Sequence, residues 1–225
     1  MLSRVAVVTP VYGNAPTLAD VAGGIAAALH DRPWTLRFVV DASPDDSLVV
    51  ATALAAADAH LSVTALARNV GQNRALLAGL AAEEDAGAWV CLDADLQDPP
   101  EAVPLLLDRL AEGDVGAVFA GRRGAYEGPA RRLTGTVHRA AMARLTGLPA
   151  DAGAFVAMDG ATRRALLAMS PPGMVAGIGA AGVRCASVPV VRAARPSGRS
   201  AWTATARLRQ SAQSLVWAWR ARDPV

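Results

Sequence analysis

Trp89-Val90-Cys91-Leu92-Asp93-Ala94-Asp95-Leu96-Gln97-Asp98-Pro99-Pro100-Glu101 runs from an apolar tetrad, through two aspartates one residue apart, into a proline-opened helix start. The tetrad fits a buried strand. Pro99, Pro100 and Glu101 set proline and acid in a first helical turn, where a missing amide hydrogen costs little and the macrodipole favours negative charge. The loop between is therefore held at both ends. Two carboxylates one residue apart on such a turn can point into one crevice and hold a hard divalent cation, which takes oxygen ligands and accepts phosphate oxygens to complete its shell. An Asp-x-Asp triplet alone would equally serve as a helix cap or a solvated turn. The longer context, with Gln97 and Asp98-Pro99-Pro100-Glu101, favours the binding role.

Working outward, short β-branched runs at 5–9, 36–40, 62–66, 88–92 and 115–120 alternate with alanine- and leucine-rich segments at 17–29, 47–57, 73–82 and 100–111. This is the pattern of strand-helix-strand units around a mainly parallel sheet. It predicts an α/β fold in which ligands gather at the carboxyl ends of the strands. After Gly121 the texture changes. Arg122, Arg123, Arg131, Arg132, Arg139 and Arg144 run into a helix-like segment ending near Gly147. A strand is expected at 153–158, a helix at 160–169 broken by Pro171-Pro172-Gly173, and a last strand at 188–191. Residues 201–222 read as a basic amphipathic C-terminal helix with Leu208, Ala212, Leu215, Val216 and Trp219 on one side.

The 225 residues, 52% of them hydrophobic, fit one domain spanning 1–225. A formal net charge of +2 demands no polyanionic partner, and no nucleic acid is expected. All 22 basic residues are arginine, which reads as genomic bias, although each offers a planar donor fork that suits phosphate. Two cysteines, Cys91 and Cys185, do not make a disulfide framework and imply a reducing, cytoplasmic setting. The early apolar run at 5–10 is too short for a signal peptide and reads as the first strand. The alanine-rich stretch at 48–67 is interrupted by Asp58 and His60, whereas a membrane span needs about 20 nearly uncharged residues. No transmembrane helix is expected. His30, His60 and His138 lack metal-ligand spacing and read as structural.

The stretch Asp93-Ala94-Asp95-Leu96-Gln97 followed by Pro99-Pro100-Glu101 resembles the family 2 glycosyltransferases of the GT-A fold, specifically the branch that charges polyprenyl or dolichyl phosphate with a sugar. The resemblance implies a single, mainly parallel twisted sheet flanked by helices, with Asp95 and Gln97 at a Mg2+ or Mn2+ ion and Asp93 beside both metal and nucleotide sugar. Thr9-Pro10-Val11-Tyr12-Gly13-Asn14 is similar to the family's first nucleotide-holding loop, with Gly13-Asn14 where Asn-Glu is usual. Pro10, Tyr12 and Asn14 are thereby assigned to the nucleotide sugar. Val40-Asp41-Ala42-Ser43 resembles the Asp-Asp-Gly-Ser segment and keeps the second acid, Asp41, implied to contact base and ribose. Arg68-Asn69-Val70-Gly71-Gln72-Asn73-Arg74-Ala75 resembles Arg-Asn-x-Gly-Gln-x-x-Ala of the lipid-phosphate branch. Here a glycine turn opening a helix offers free amides near a diphosphate, with Arg68 as charge partner and Gly71 and Gln72 in the turn.

Gly121-Arg122-Arg123 and Arg131-Arg132 resemble the two basic clusters expected to hold the acceptor phosphate, which assigns Arg123 and Arg131 a catalytic role with Asp95. Asp151-Ala152-Gly153-Ala154-Phe155 resembles Asp-x-Gly-x-Phe, with Val156 in place of arginine. Arg192-Ala193-Ala194-Arg195-Pro196-Ser197-Gly198-Arg199-Ser200 resembles the loop Arg-x-x-Arg-x-x-Gly-x-Ser, bringing Arg195 and Arg199 to the nucleotide sugar. Ala201-Trp202 replaces Lys-Tyr there, and Arg199 substitutes for the lysine. Bacterial members of the family often continue into two transmembrane helices, before which this sequence stops.

These features predict an inverting transfer from a GDP- or UDP-sugar to a polyprenyl phosphate, with departure of the diphosphate eased by the cation and arginines. A lipid acceptor would bring the chain to the inner face of the cell membrane as a peripheral protein, through the C-terminal helix and with room for a membrane protein partner. One alternative is a soluble family 2 transferase acting on a hydroxyl of a glycan, peptide or natural product, with Asp151 or Asp98 as base. Another is a nucleotide-binding domain that has lost turnover, motivated by Asn14, Val40, Val156 and Ala201.

Overall fold

The computed structural model describes residues 4–123, 143–192 and, in a C-terminal helix, 212, 213, 215–217 and 219. A seven-stranded sheet in the order β3-β2-β1-β4-β6-β5-β7 organises them. The strands are β1 (Val5–Val11), β2 (Trp34–Asp41), β3 (Leu61–Leu66), β4 (Ala88–Cys91), β5 (Ala117–Arg123), β6 (Val156–Met158) and β7 (Cys185–Val191). All pair in parallel except β6, which lies antiparallel between β4 and β5.

Every residue of β1 is buried, as a central parallel strand covered on both faces requires. Val5, Val7 and Val11 point into one apolar layer and Ala6 and Val8 into the other. The first layer receives α1 (Leu18–Ala28), α2 (Ser47–Ala57) and α4 (Val103–Ala111) through Ile25, Ala51 and Leu107. The second receives α3 (Gln72–Ala82), α5 (Gly160–Met169) and α6 (Met174–Ala180) through Leu76, Leu166 and Ile178. Helix α3 crosses the sheet at Gly79, where an added Cβ would stand 2.4 Å from Val8 Cγ1 and 2.6 Å from Val39 Cγ2. Its carboxyl end is satisfied by Arg163, whose Nε donates to Leu80 O at 2.8 Å while its guanidinium lies over the Trp89 ring.

Two expectations shift for physical reasons. β1 continues through Pro10 to Val11, although proline removes an amide from a ladder. Pairing with β4 ends at Val8↔Cys91, so beyond it only the β2 side is occupied and Pro10 leaves no ladder bond unmade on the other. Pro171-Pro172-Gly173 reads as a stop, yet it both ends α5 and precedes a new helix, α6. No helix of the described residues is long and apolar enough to cross a membrane.

Candidate functional site

Parallel strands deliver their following loops to one edge, and the loops after β1, β2, β3 and β4 meet there. The first is held by the second. Gly13 N donates to Ser43 Oγ (2.8 Å), Asn14 N to Ser47 Oγ (3.1 Å) and Ala15 N to Asp45 Oδ2 (3.1 Å). Asp45 Oδ1 also accepts from the hydroxyls of Ser43 (2.5 Å) and Ser47 (2.6 Å). Partial burial would raise this carboxyl, but the two hydroxyls and the Ala15 and Ser47 amides outweigh it and bring it down to about 2. Tyr12, 41% exposed, projects from the loop, while Asn14 folds back to accept from Tyr12 N. Pro10 is buried within β1.

Asp41, only 3% exposed, accepts from Val70 N (2.7 Å) and Gly71 N (2.8 Å), one amide to each oxygen. The end of β2 therefore sets the turn that opens α3. Gly71 takes φ 87°, which an L side chain rarely adopts, and this conformation aims its amide at Asp41. Arg68, in the same turn, is exposed. Gln72, the first residue of α3, donates through Nε2 to Asp93 Oδ1 at 2.5 Å.

The loop after β4 is anchored from below by Thr17, whose hydroxyl donates to Ala94 O at 2.6 Å. Within it Asp95, 8% exposed, accepts the Gln97 amide at 3.1 Å, and Leu96 sits at φ 57°. Ala42, after Asp41, has φ 49°. Two non-glycine residues in the left-handed region, one in the loop after β2 and one in the loop after β4, are strain of the kind that binding sites retain.

Arg192, the first residue beyond β7, spans to this loop. Its Nε donates to Asp98 Oδ1 at 2.7 Å and its Nη2 lies 3.5 Å from Asp93 Oδ2. Burial would lower the guanidinium pKa, but Asp98 first, then Asp93 and Asp95, outweigh it and raise it. Asp98 is 3% exposed, and its Oδ2 has no hydrogen-bond partner among the described residues. On the neighbouring strand, Gly121 makes room for Asp151 Oδ2 and Ser187 Oγ, which would stand 2.3 and 2.4 Å from a Cβ added there.

Asp41, Gly71, Gln72, Asp93, Asp95 and Gln97 thus fall in one connected set of loops, beside the loop carrying Tyr12 and Asn14. Arg123 ends β5, in register with Val191. Arg131, Arg195 and Arg199 lie outside the described residues. Sequence reasoning gave no role to Asp45 or Arg192. The signal for the first was serine and aspartate just ahead of a helix, a capping composition. For the second it was an arginine opening a loop directly after a last strand.

Among the described residues no group of three or more His, Cys, Asp or Glu is placed to hold a metal ion, but the loop after β4 carries hard oxygen donors in the carboxylates of Asp93 and Asp95 and the side-chain carbonyl of Gln97. Such oxygens suit a divalent cation that fills the rest of its shell from phosphate and water.

Curated relatives include the undecaprenyl-phosphate 4-deoxy-4-formamido-L-arabinose transferase of Sodalis glossinidius (strain morsitans), 34% identical over 149 residues, covering 65% of this chain and 45% of that protein. The protein of the same name from Pectobacterium carotovorum subsp. carotovorum (strain PC1) is 36% identical over 128 residues, 54% of this chain and 38% of its own. The chain therefore spans less than half the length of these relatives. Among solved structures, glucosyl-3-phosphoglycerate synthase from Mycobacterium tuberculosis, in complex with Mn2+, UDP and phosphoglyceric acid, aligns with TM-score 0.70 at 21% identity, covering 99% of this chain and 80% of that one. A mannosyltransferase from Pyrobaculum calidifontis, in complex with GDP-Man and Mn2+, aligns with TM-score 0.64 at 23% identity, covering 99% and 65%. The family described as glycosyl transferase family 2 matches residues 6–161, and with the seven-stranded sheet this makes the protein a member of glycosyl transferase family 2 with a GT-A fold.

Proposed function

We propose that this protein is an inverting, metal-dependent hexosyltransferase that moves a sugar from a GDP- or UDP-sugar to a polyprenyl phosphate. The observation that carries the reading is the loop after β4, where Asp93 and Asp95 are braced by Gln72, Thr17 and Arg192 at the carboxyl edge of the sheet. Asp93, Asp95 and Gln97 would hold Mg2+ or Mn2+, which supplies charge to the departing nucleoside diphosphate. Tyr12 and Asn14, beside the crevice, would meet the nucleotide, and Pro10 would fix their loop. Asp41 would act through the 70–71 turn whose amides it holds, with Arg68, Gly71 and Gln72 facing the diphosphate. Arg195 and Arg199 would add positive charge for the nucleotide sugar.

The names of the curated relatives support an undecaprenyl-type phosphate acceptor. A phosphate monoester is mostly dianionic at neutral pH, its second pKa being near 6, so it attacks the anomeric carbon without a strong general base. Arg123 and Arg131 would orient it, while the charge of the leaving group would be balanced by the cation and the nearby guanidinium groups. A lipid acceptor implies work at a membrane surface. Leu215 and Trp217 of the C-terminal helix pack on Ala176 of α6, while Val216 and Trp219 are 50% and 61% exposed, a face suited to the bilayer interface. The free thiols Cys91 and Cys185 fit a reducing, cytoplasmic setting.

A hydroxyl acceptor is the second reading. Of the two acids that would then serve as base, Asp98 is buried against Arg192, whereas Asp151 is half-buried over Gly121, which favours Asp151. The test gives purified protein Mn2+ or Mg2+, GDP- and UDP-sugars and a short polyprenyl phosphate, and follows glycolipid formation. Transfer only to a non-lipid hydroxyl would reject the lipid acceptor. Neither transfer nor sugar-nucleotide hydrolysis under any condition would point to a domain that binds without turnover.

A further inference from the structure

One guanidinium faces three carboxylates, and it holds them unequally. Arg192 has a side chain 9% exposed. Its Nε meets Asp98 Oδ1 at 2.7 Å, within the range of about 2.7–2.9 Å for a charge-assisted hydrogen bond, whereas Nη2 stands 3.5 Å from Asp93 Oδ2, outside it. Asp98 is almost wholly buried and cannot turn to solvent without abandoning its cation. Asp93 is 20% exposed and is already gripped on its other oxygen by Gln72. The Asp98 contact is therefore the anchor and the Asp93 contact the one open to exchange.

We infer that Arg192 is a tethered internal cation: it holds the 93–98 loop in its binding shape in the free protein and competes with a divalent ion for Asp93, so that the ion enters together with the nucleotide diphosphate. This rests on the donor-site reading above and adds an order of events to it. A divalent ion arriving alone meets a fixed positive charge that neither moves away nor loses its proton. When the ion arrives with a diphosphate, phosphate oxygens offer the same planar donor fork a new acceptor, and the competitor becomes a partner. Arg192 is thus a positioning residue that sets how metal and nucleotide are coupled.

The test measures Mn2+ affinity of the protein alone, by electron paramagnetic resonance of the free ion, and then in the presence of UDP or GDP. Arg192→Met removes the charge at similar length. Mn2+ binding without nucleotide should tighten about tenfold, the scale of one unit charge removed near the ion in a solvent-screened site, while Mn2+-dependent nucleotide binding weakens. Arg192→Lys keeps a charge on Asp98 but lacks the second nitrogen for Asp93. It should tighten Mn2+ binding by a smaller factor, about threefold, and it carries the test if the methionine variant does not fold by circular dichroism. A purely structural role would weaken both kinds of binding. Unchanged or weaker Mn2+ binding in the folded variants, with the wild type binding Mn2+ and nucleotide normally, overturns the inference. A wild type that binds no Mn2+ even with UDP or GDP overturns the donor-site reading itself, and this inference with it.

Discussion

The two ends of the sheet each carry an arginine-acid cluster, and among the described residues they are built to opposite ratios. At the amino end one acid meets two arginines. Glu83, 4% exposed, contacts Arg4 Nη1 at 3.0 Å through one oxygen and Arg37 Nη2 at 2.9 Å through the other. The remaining donors are absorbed locally: Arg4 Nε by Asp85 O, Arg37 Nη1 by Thr64 Oγ1, and the Thr35 hydroxyl by Glu83 itself. A cleft of about 370 Å³ lies beside this network, yet Arg4, Arg37 and Glu83 in its lining are already paired with one another. At the carboxyl end one arginine meets Asp98 and Asp93 within the field of Asp95, and Asp98 keeps a buried oxygen with no partner among the described residues. A buried polar network satisfied from within stiffens a fold. The carboxyl-end cluster instead lies where the loops after the parallel strands converge, and a cleft alone does not mark the site.

The sharpest way to break this division is to empty the amino-end cluster. Glu83→Ala leaves two partly buried guanidinium groups without their acid and should cost about 3 kcal/mol of stability in a denaturant titration. Nucleotide affinity should stay within a factor of two, and a comparable loss of binding would show that the two ends are not separate. Gly71→Ala works at the other end. The added Cβ meets nothing within 4 Å, so its cost is the backbone strain of φ 87° alone, about 1–3 kcal/mol. Because that strain acts on the amide held by Asp41 and on Gln72 beside it, nucleotide binding should fall about tenfold, 1.4 kcal/mol of the same strain carried into the complex. A variant that loses stability and binds nucleotide normally would remove the turn from the site.

The smallest effect expected is at Asp45. Its carboxyl titrates at about 2, below the ordinary value of about 4, so its bonds stabilise the fold fully above the ordinary value and are lost as pH falls toward 2. The residue is exposed, and screening limits the contribution to under about 1 kcal/mol. Asp45→Asn should flatten the acid limb of a pH-stability curve between about 4 and 2, and an unchanged limb would remove the hub from the first loop.

Periodicity carried most of the fold. The helix expected at 47–57 and the one at 160–169 are α2 and α5 residue for residue, and 62–66 falls inside β3, because long apolar faces leave little choice of register. What escaped were features decided by neighbours. The antiparallel β6 has three residues, too few to announce its direction, and its place between β4 and β5 depends on the sheet around it. Pro10 ends a strand by local rules and stays in one here because β4 stops earlier. The site divides in the same manner. Asp93 and Asp95 were legible as paired acids between a strand and a proline-opened helix. That Gln72 bonds Asp93 across 21 residues, and that Arg192 reaches Asp98 across 94, are facts of packing that no local pattern contains.

The most direct measurement is calorimetric titration of UDP and GDP into the protein with and without Mn2+, for the wild type and for Asp95→Ala. The account predicts that Mn2+ tightens nucleotide binding to the wild type and leaves the variant unaffected. Equal Mn2+-dependent affinity in both would contradict the assignment of the 93–98 loop as the metal-diphosphate site.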